Sequence, residues 1–119
     1  MRRAGGGCDG LGGTPHVAVA FLFGLSRPDG GVIRPDEWDR FLADAIAPHG
    51  RGGLTVFEAR GQWRDRAGRT MHEPSRVVRI VLPPPAVDPA ALRAVADAYR
   101  ARFGQESVGV TTTRTCAVF

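Results

Sequence analysis

The residues with the clearest capacity for chemistry gather in one stretch, Gly53 to Pro83, GLTVFEARGQWRDRAGRTMHEPSRVVRIVLP. It contains Glu58, Arg60, Gln62, Glu73, Ser75 and Arg79. Glu73 leads this set, because a carboxylate in a partly apolar pocket can act as a general acid or base. Arg60 or Arg79 could hold an anionic or enolic oxygen as charge develops on it. Glu73, Arg60 and Gln62 are therefore the expected catalytic group. Glu58, Ser75, Arg79, Trp63, Tyr99 and Gln105 are the expected substrate contacts. The plainer reading is an ion pair between Glu73 and an arginine across two strands, worth roughly 0.2–1 kcal/mol.

Proton transfer of this kind suits isomerisation, cyclisation or elimination on a small organic molecule. The sequence carries no G-x-G-x-x-G after a strand, no Walker loop, no G-x-S-x-G elbow and no H-E-x-x-H. No cofactor is expected. His16, His49 and His72 have no metal-ligand spacing between them, so no metal is expected either. Cys8 and Cys116 lie at opposite ends of the chain and read as free thiols.

Something must position these groups, and the periodicity says what. HVAVAFLFGL, from His16, is apolar on both faces and suits a central strand. From Pro35 to Pro48, Trp38, Phe41, Leu42, Ala45 and Ile46 follow the spacing of a core-facing helix. Arg34 is a poor cap for it. Thr55, Phe57, Ala59, Gly61 and Trp63 then alternate with Val56, Glu58, Arg60, Gln62 and Arg64, as a strand with one apolar face does. Val78, Ile80 and Leu82 share a face of the following strand. A two-residue turn at Ala67-Gly68 would set Gln62 opposite Glu73, Arg60 opposite Ser75 and Phe57 opposite Val78, which puts Phe57 and Trp63 with Val78 and Ile80 in the helix-packed core. Pro74 is expected to disturb the second arm. Asp88 caps a second helix with Pro89 at its first position and Gly104 at its end; Leu92, Val95, Ala96, Tyr99 and Phe103 form its apolar stripe. ESVGVTTTRTCAVF is the last strand.

The order is βαββαβ. Two right-handed crossovers give a ferredoxin-like α+β fold, a four-stranded antiparallel sheet with both helices on one face. Residues 1–15 carry six glycines and read as a disordered arm, residues 16–119 as one domain. The uncovered face should carry Ala18, Ala20, Leu22, Val77 and Val81 beside the six polar residues named first. An apolar floor ringed by polar groups suits a small-molecule pocket or a homodimer interface.

Composition removes other classes. No apolar run approaches the roughly 20 residues of a membrane span, and the N-terminus has no apolar segment of a secretory signal. A cytoplasmic location is expected. The formal charge is +4, but all 16 basic residues are arginines, scattered along the chain. No basic run marks a nucleic-acid surface. RNA-recognition modules share this topology but need aromatic residues on the third strand, and RVVRIVL has none.

Several motifs in order also carry a resemblance: Phe23-Gly24, Asp29-Gly30, W-x2-F at Trp38 and Phe41, GLTV-x4-G-x-WRD-x2-G from Gly53, Glu73, Ser75, and Y-x3-FGQESV from Tyr99. Together they resemble the bacterial domain-of-unknown-function 3574 family, from Phe21 to Phe119. The resemblance implies no activity. Some members look like exported lipoproteins, and this chain departs from them in lacking the signal. The expectation is a small cofactor-independent enzyme, of the kind found in secondary-metabolite biosynthesis. The alternative is a non-catalytic ligand-binding or dimer-forming module using the same face.

Overall fold

A computed structural model describes residues 8–51 and 53–119. Four strands, β1 (Thr14–Gly24), β2 (Thr55–Arg64), β3 (Thr70–Leu82) and β4 (Gly109–Ala117), form one sheet in the order β2-β3-β1-β4, every pair antiparallel. Helices α1 (Pro35–Phe41) and α2 (Pro89–Phe103) supply the second layer. This is the expected ferredoxin-like arrangement.

The core lies between sheet and helices. Val19, Phe21 and Phe23 of β1 and Val78, Ile80 and Leu82 of β3 are buried against Trp38, Phe41, Tyr99 and Phe103. The α2 stripe is buried as its spacing predicts, from Leu92 to Phe103. Asp88 caps this helix by accepting from the amides of Ala90 at 3.1 Å and Ala91 at 3.3 Å. Gly104 leaves it at φ 72°, the left-handed region that favours glycine. At α1 the mismatch of Arg34 is repaired from inside the helix. The Glu37 carboxylate accepts from the Arg34 amide at 3.1 Å, which is half of a capping box. Beyond Phe41 the winding loosens to a π turn over Leu42–Ile46 and tightens to a 3₁₀ turn over Ala47–Gly50. The expected single helix to Pro48 is thus shared among three windings.

Two expectations are overturned. Cys8 and Cys116 are not free: they form a disulfide, Cα–Cα 5.3 Å, across a sequence separation of 108. Distance along the chain misled the reading, because β1 and β4 are neighbours and Thr14 pairs with Ala117. Of the expected arm, residues 1–7 lie outside the described residues. Residues 8–12 form a turn, and Thr14 and Pro15 already belong to β1. Such bonds persist in oxidising compartments, which bears against the expected cytoplasmic location. Among the described residues no helix is long and apolar enough to cross a membrane.

The second correction is the hairpin register. Gly61, not Gln62, lies opposite Glu73; Ala59 faces Ser75, Phe57 faces Val77 and Thr55 faces Arg79. The turn has three residues, Arg66 to Gly68, rather than two. Asp65 Oδ1 accepts from the amides of Ala67 and Arg69, both at 2.9 Å, and Gly68 takes φ 83°. This is the hairpin loop that ends in a left-handed glycine. A one-residue slip moves every β2 side chain to the other face. Phe57, Ala59, Gly61 and Trp63 therefore share the uncovered face with Glu73, while Glu58, Arg60 and Gln62 lie on the helix side.

Pro74 leaves β3 unbroken. Its missing N–H would face the Leu25 carbonyl beyond the end of β1, and that oxygen instead accepts from Ile33 N at 2.8 Å. The Pro74 carbonyl still accepts from Leu25 N at 2.9 Å. Proline sits where the ladder can spare a donor.

Candidate functional site

The uncovered face is hollowed at the end of β1. Side chains there are small or absent: Gly24 on β1, Ala59 and Gly61 on β2, Ser75 on β3 and Gly109 on β4. The resulting cavity is about 370 Å³, walled by Leu22, Val77 and Trp63, with Glu73, Gln105 and Ser107 as polar lining. Leu22 and Phe57 on the same face are 45% and 48% exposed, so the face presents apolar surface around the hollow.

Glu73 is the centre of this site. It is 9% exposed, and among the described residues it is the one buried charged side chain. Trp63 Nε1–H donates to its Oε1 at 2.7 Å. The Ser26 amide donates to Oε2 at 3.0 Å, and Gln105 Nε2 reaches the same oxygen at 3.4 Å. Gln105 Nε2 also donates to the Ser26 carbonyl at 2.6 Å, tying the segment after α2 to the one after β1. None of these partners is a cation, so among the described residues Glu73 does not make the expected ion pair with an arginine. A carboxylate offers about four lone-pair directions; three are used, leaving one on Oε1.

Glycine makes the space for this carboxylate. A Cβ on Gly24 would lie 2.4 Å from Glu73 Oε1 and 2.7 Å from Gln105 Oε1. A Cβ on Gly61 would lie 2.6 Å from Ser75 Oγ. Both positions require the absence of a side chain rather than an unusual φ.

Tyr99 supports the site from beneath. Its ring is in the core and its hydroxyl donates to the Gly24 carbonyl at 2.6 Å, fixing the strand end over which Glu73 lies. Burial, then the nearby Glu73 charge, pushes the Tyr99 hydroxyl well above the usual phenol range. It stays protonated and serves as a fixed donor.

The structure thus brings together Glu73, Trp63, Gln105 and Ser75, with Tyr99 behind them. Arg60 and Gln62 border the cavity at the β2 edge, but strand alternation turns their side chains to the helix side. Glu58 lies on that side too, opposite Arg76. Arg79 lies on the open face at its far end, lining a different cavity. Sequence reasoning missed Gly24 and the Ser26 amide as parts of the site, and placed Trp63 in the core. A glycine closing an apolar strand is a sign of close backbone or ligand approach. The Asp65–Gly68 spacing was the sign of the longer turn.

The family model described as "Protein of unknown function (DUF3574)" matches residues 19–119. Among curated proteins none matches the sequence. Among solved structures, a phage SAM lyase in complex with S-methyl-5′-thioadenosine is similar at 21% identity and TM-score 0.61, covering 98% of this chain and 95% of that one. The phage SAM lyase in its apo state is similar at 19% identity and TM-score 0.55, covering 100% and 97%. The GlnK–ATP complex of B. subtilis is similar at 13% identity and TM-score 0.52, covering 85% and 82%. At these identities the likeness is one of fold.

Proposed function

The chain belongs to the DUF3574 family, whose description assigns no activity, and from the site itself we propose that it is a cofactor-independent enzyme acting on a small organic molecule held over Glu73. One observation carries this reading. A buried carboxylate, gripped by three neutral donors and paired with no cation, borders an apolar hollow on the uncovered face. A group placed only for stability would more economically be apolar or ion-paired, since burying a charge without a counter-ion is costly.

In the proposed reaction Glu73 Oε1 uses its remaining lone pair to take a proton from the bound molecule. The carbon–hydrogen electron pair then forms a double bond or a ring as a leaving group departs, or the proton returns at another carbon. Trp63 and Gln105 keep the carboxylate in place while it changes charge. Leu22, Val77 and the Trp63 ring cover the apolar part of the substrate. The fold shared with a phage SAM lyase supports elimination within this class and makes S-adenosylmethionine the first compound to try. Its cationic sulfonium also complements an anion without a counter-charge.

The test uses the two tryptophans, Trp38 and Trp63, which give two indole N–H signals in a ¹⁵N spectrum. S-adenosylmethionine, S-methyl-5′-thioadenosine and then a small-metabolite panel are titrated in. A ligand of this site shifts the Trp63 signal, leaves that of core Trp38 in place, and fails to bind Glu73→Ala. A ligand that binds the protein while leaving the Trp63 signal unmoved refutes the assignment.

A second reading, a homodimer through the same face, is supported by the exposed Leu22 and Phe57. It predicts a mass in solution of twice the chain, which Leu22→Glu would halve.

A further inference from the structure

The uncovered face has a second hollow at its other end, about 620 Å³, lined by His16, Arg51, Leu54, Thr55, Arg79 and Phe119 among others. We propose that it is a binding site for a small organic anion, a carboxylate or phosphate monoester carried on an apolar group.

The basic groups converge there from three parts of the fold. Arg79 stands on β3, opposite Thr55 on β2 and beside Ala20 on β1. The small Ala20 leaves open the sheet surface next to it. Arg51 ends the turn after α1 in the left-handed region, at φ 48° and ψ 40°. This is a strained conformation for a side chain of that size, and such strain concentrates where a residue is held for use. His16 enters from β1. Its Nδ1 lies 2.9 Å from the Thr14 carbonyl. A carbonyl can only accept, so Nδ1 carries a proton and the ring is fixed in orientation.

Among the described residues no acidic side chain lines this hollow. Arg27, Arg34, Arg66, Arg69 and Arg100 all have carboxylate partners. Among the described residues several arginine side chains have neither an ion pair nor a hydrogen bond, and Arg51 and Arg79 are the two of these that line this hollow. Two forked guanidinium groups without a counter-ion, flanked by the Thr55 hydroxyl, suit the oxygens of a carboxylate or phosphate. The other lining is apolar. Leu54, Val81 and Phe119 supply it, and the Phe119 ring, 95% exposed, packs edge-on against His16 with ring centroids 5.9 Å apart. An anion bearing an apolar group would cover that ring.

The site is separate from Glu73. Six residue steps along β3 separate Glu73 from Arg79, roughly 20 Å at about 3.3 Å per residue. The two sites are thus testable independently, and failure of one leaves the other standing.

The experiment titrates ¹⁵N-labelled protein at fixed ionic strength with phenyl phosphate, benzoate, inorganic phosphate and phenol. Phenyl phosphate or benzoate should shift the amides of Thr55, Arg79, Val81 and Phe119 saturably, leaving the Trp63 indole unmoved. The comparison of these two identifies the preferred anion. Inorganic phosphate should bind more weakly and phenol not at all. Arg51→Ala and Arg79→Ala should each weaken binding at least tenfold with an unchanged melting temperature, since both side chains are exposed and unpaired. Glu73→Gln should bind as the native protein does. Affinity unchanged in the Arg51→Ala/Arg79→Ala double variant, or shifts spread equally over Arg93 and Arg114, would overturn the proposal.

Discussion

Replacing Trp63 by Phe keeps an aromatic ring on the open face but deletes the Nε1–H that donates to Glu73 at 2.7 Å. A hydrogen bond to an ionised group contributes roughly 1.5–3 kcal/mol. Glu73 would keep the Ser26 amide at 3.0 Å and Gln105 at 3.4 Å, but Oε1 would lose its donor. At 9% exposure only limited water can replace that donor. The expected loss is therefore about 1.5–2 kcal/mol, near the lower end of the range for charged hydrogen bonds. For a domain of this size it corresponds to a melting temperature lower by roughly 5–10 °C. Equilibrium urea unfolding followed by far-ultraviolet circular dichroism measures it, with the slope unchanged. A double-mutant cycle with Glu73→Ala then isolates the pair, and a coupling of about 1–2 kcal/mol is expected for groups in contact. A Trp63→Phe loss under about 0.5 kcal/mol, the size of an ordinary surface substitution, would refute the claim that the indole holds the carboxylate.

Gly24→Ala places a methyl 2.4 Å from Glu73 Oε1, so the carboxylate must leave its donors; ligand binding should be lost, with a stability decrease of about 3–6 kcal/mol if two charged hydrogen bonds break, read by the same urea titration. In non-reducing denaturant, thiol titration should find no free cysteine, and the Cys8→Ser/Cys116→Ser variant should be less stable by about 2–5 kcal/mol; two titratable thiols would contradict the Cys8–Cys116 bond. The Asp65 carboxyl is held below its ordinary range by the Arg69 amide first, then by the Arg69 charge and the Ala67 amide. A carboxyl depressed in the folded state contributes stability above its unfolded value of about 4 and loses it as pH falls through the folded value. Melting temperature should accordingly decline on acidification below about pH 4, and Asp65→Ala should flatten that decline.

The fold was legible because its signals are local. Both helices show their stripe in the spacing of Trp38, Phe41 and Ile46 and of Leu92, Val95, Tyr99 and Phe103, and α2 shows its cap and stop in Asp88 and Gly104. The site was half legible. Glu73, Ser75 and Gln105 are brought together as candidates, yet Trp63 was placed in the core because one turn residue was miscounted. Alternation fixes which β2 residues share a face, but not which face meets the partner strand; only the turn decides that. Asp65 and Gly68 make a three-residue loop, and the whole polar row of Glu58, Arg60 and Gln62 changes sides. The disulfide was hidden for a different reason. Its residues are 108 apart in sequence, and only the pairing of β1 with β4 makes them neighbours. The partners of Glu73 also resist sequence reading, since one is the Ser26 amide, which any residue but proline provides.

The site's geometry also changes what a conservative substitution at Glu73 means. All its partners are donors, so the amide of Glu73→Gln turns an N–H toward at least one other N–H. Glu73→Asp keeps the charge but withdraws it from Trp63. The proposed proton transfer by this carboxylate is measured by incubating the native protein, Glu73→Gln and Glu73→Asp, each confirmed folded by circular dichroism, with S-adenosylmethionine and with a small-metabolite extract. Products are followed by mass spectrometry. Conversion by the native protein that falls at least a hundredfold in both variants is the predicted result, in line with the usual contribution of general acid–base catalysis. Conversion at the native rate by folded Glu73→Gln would contradict it.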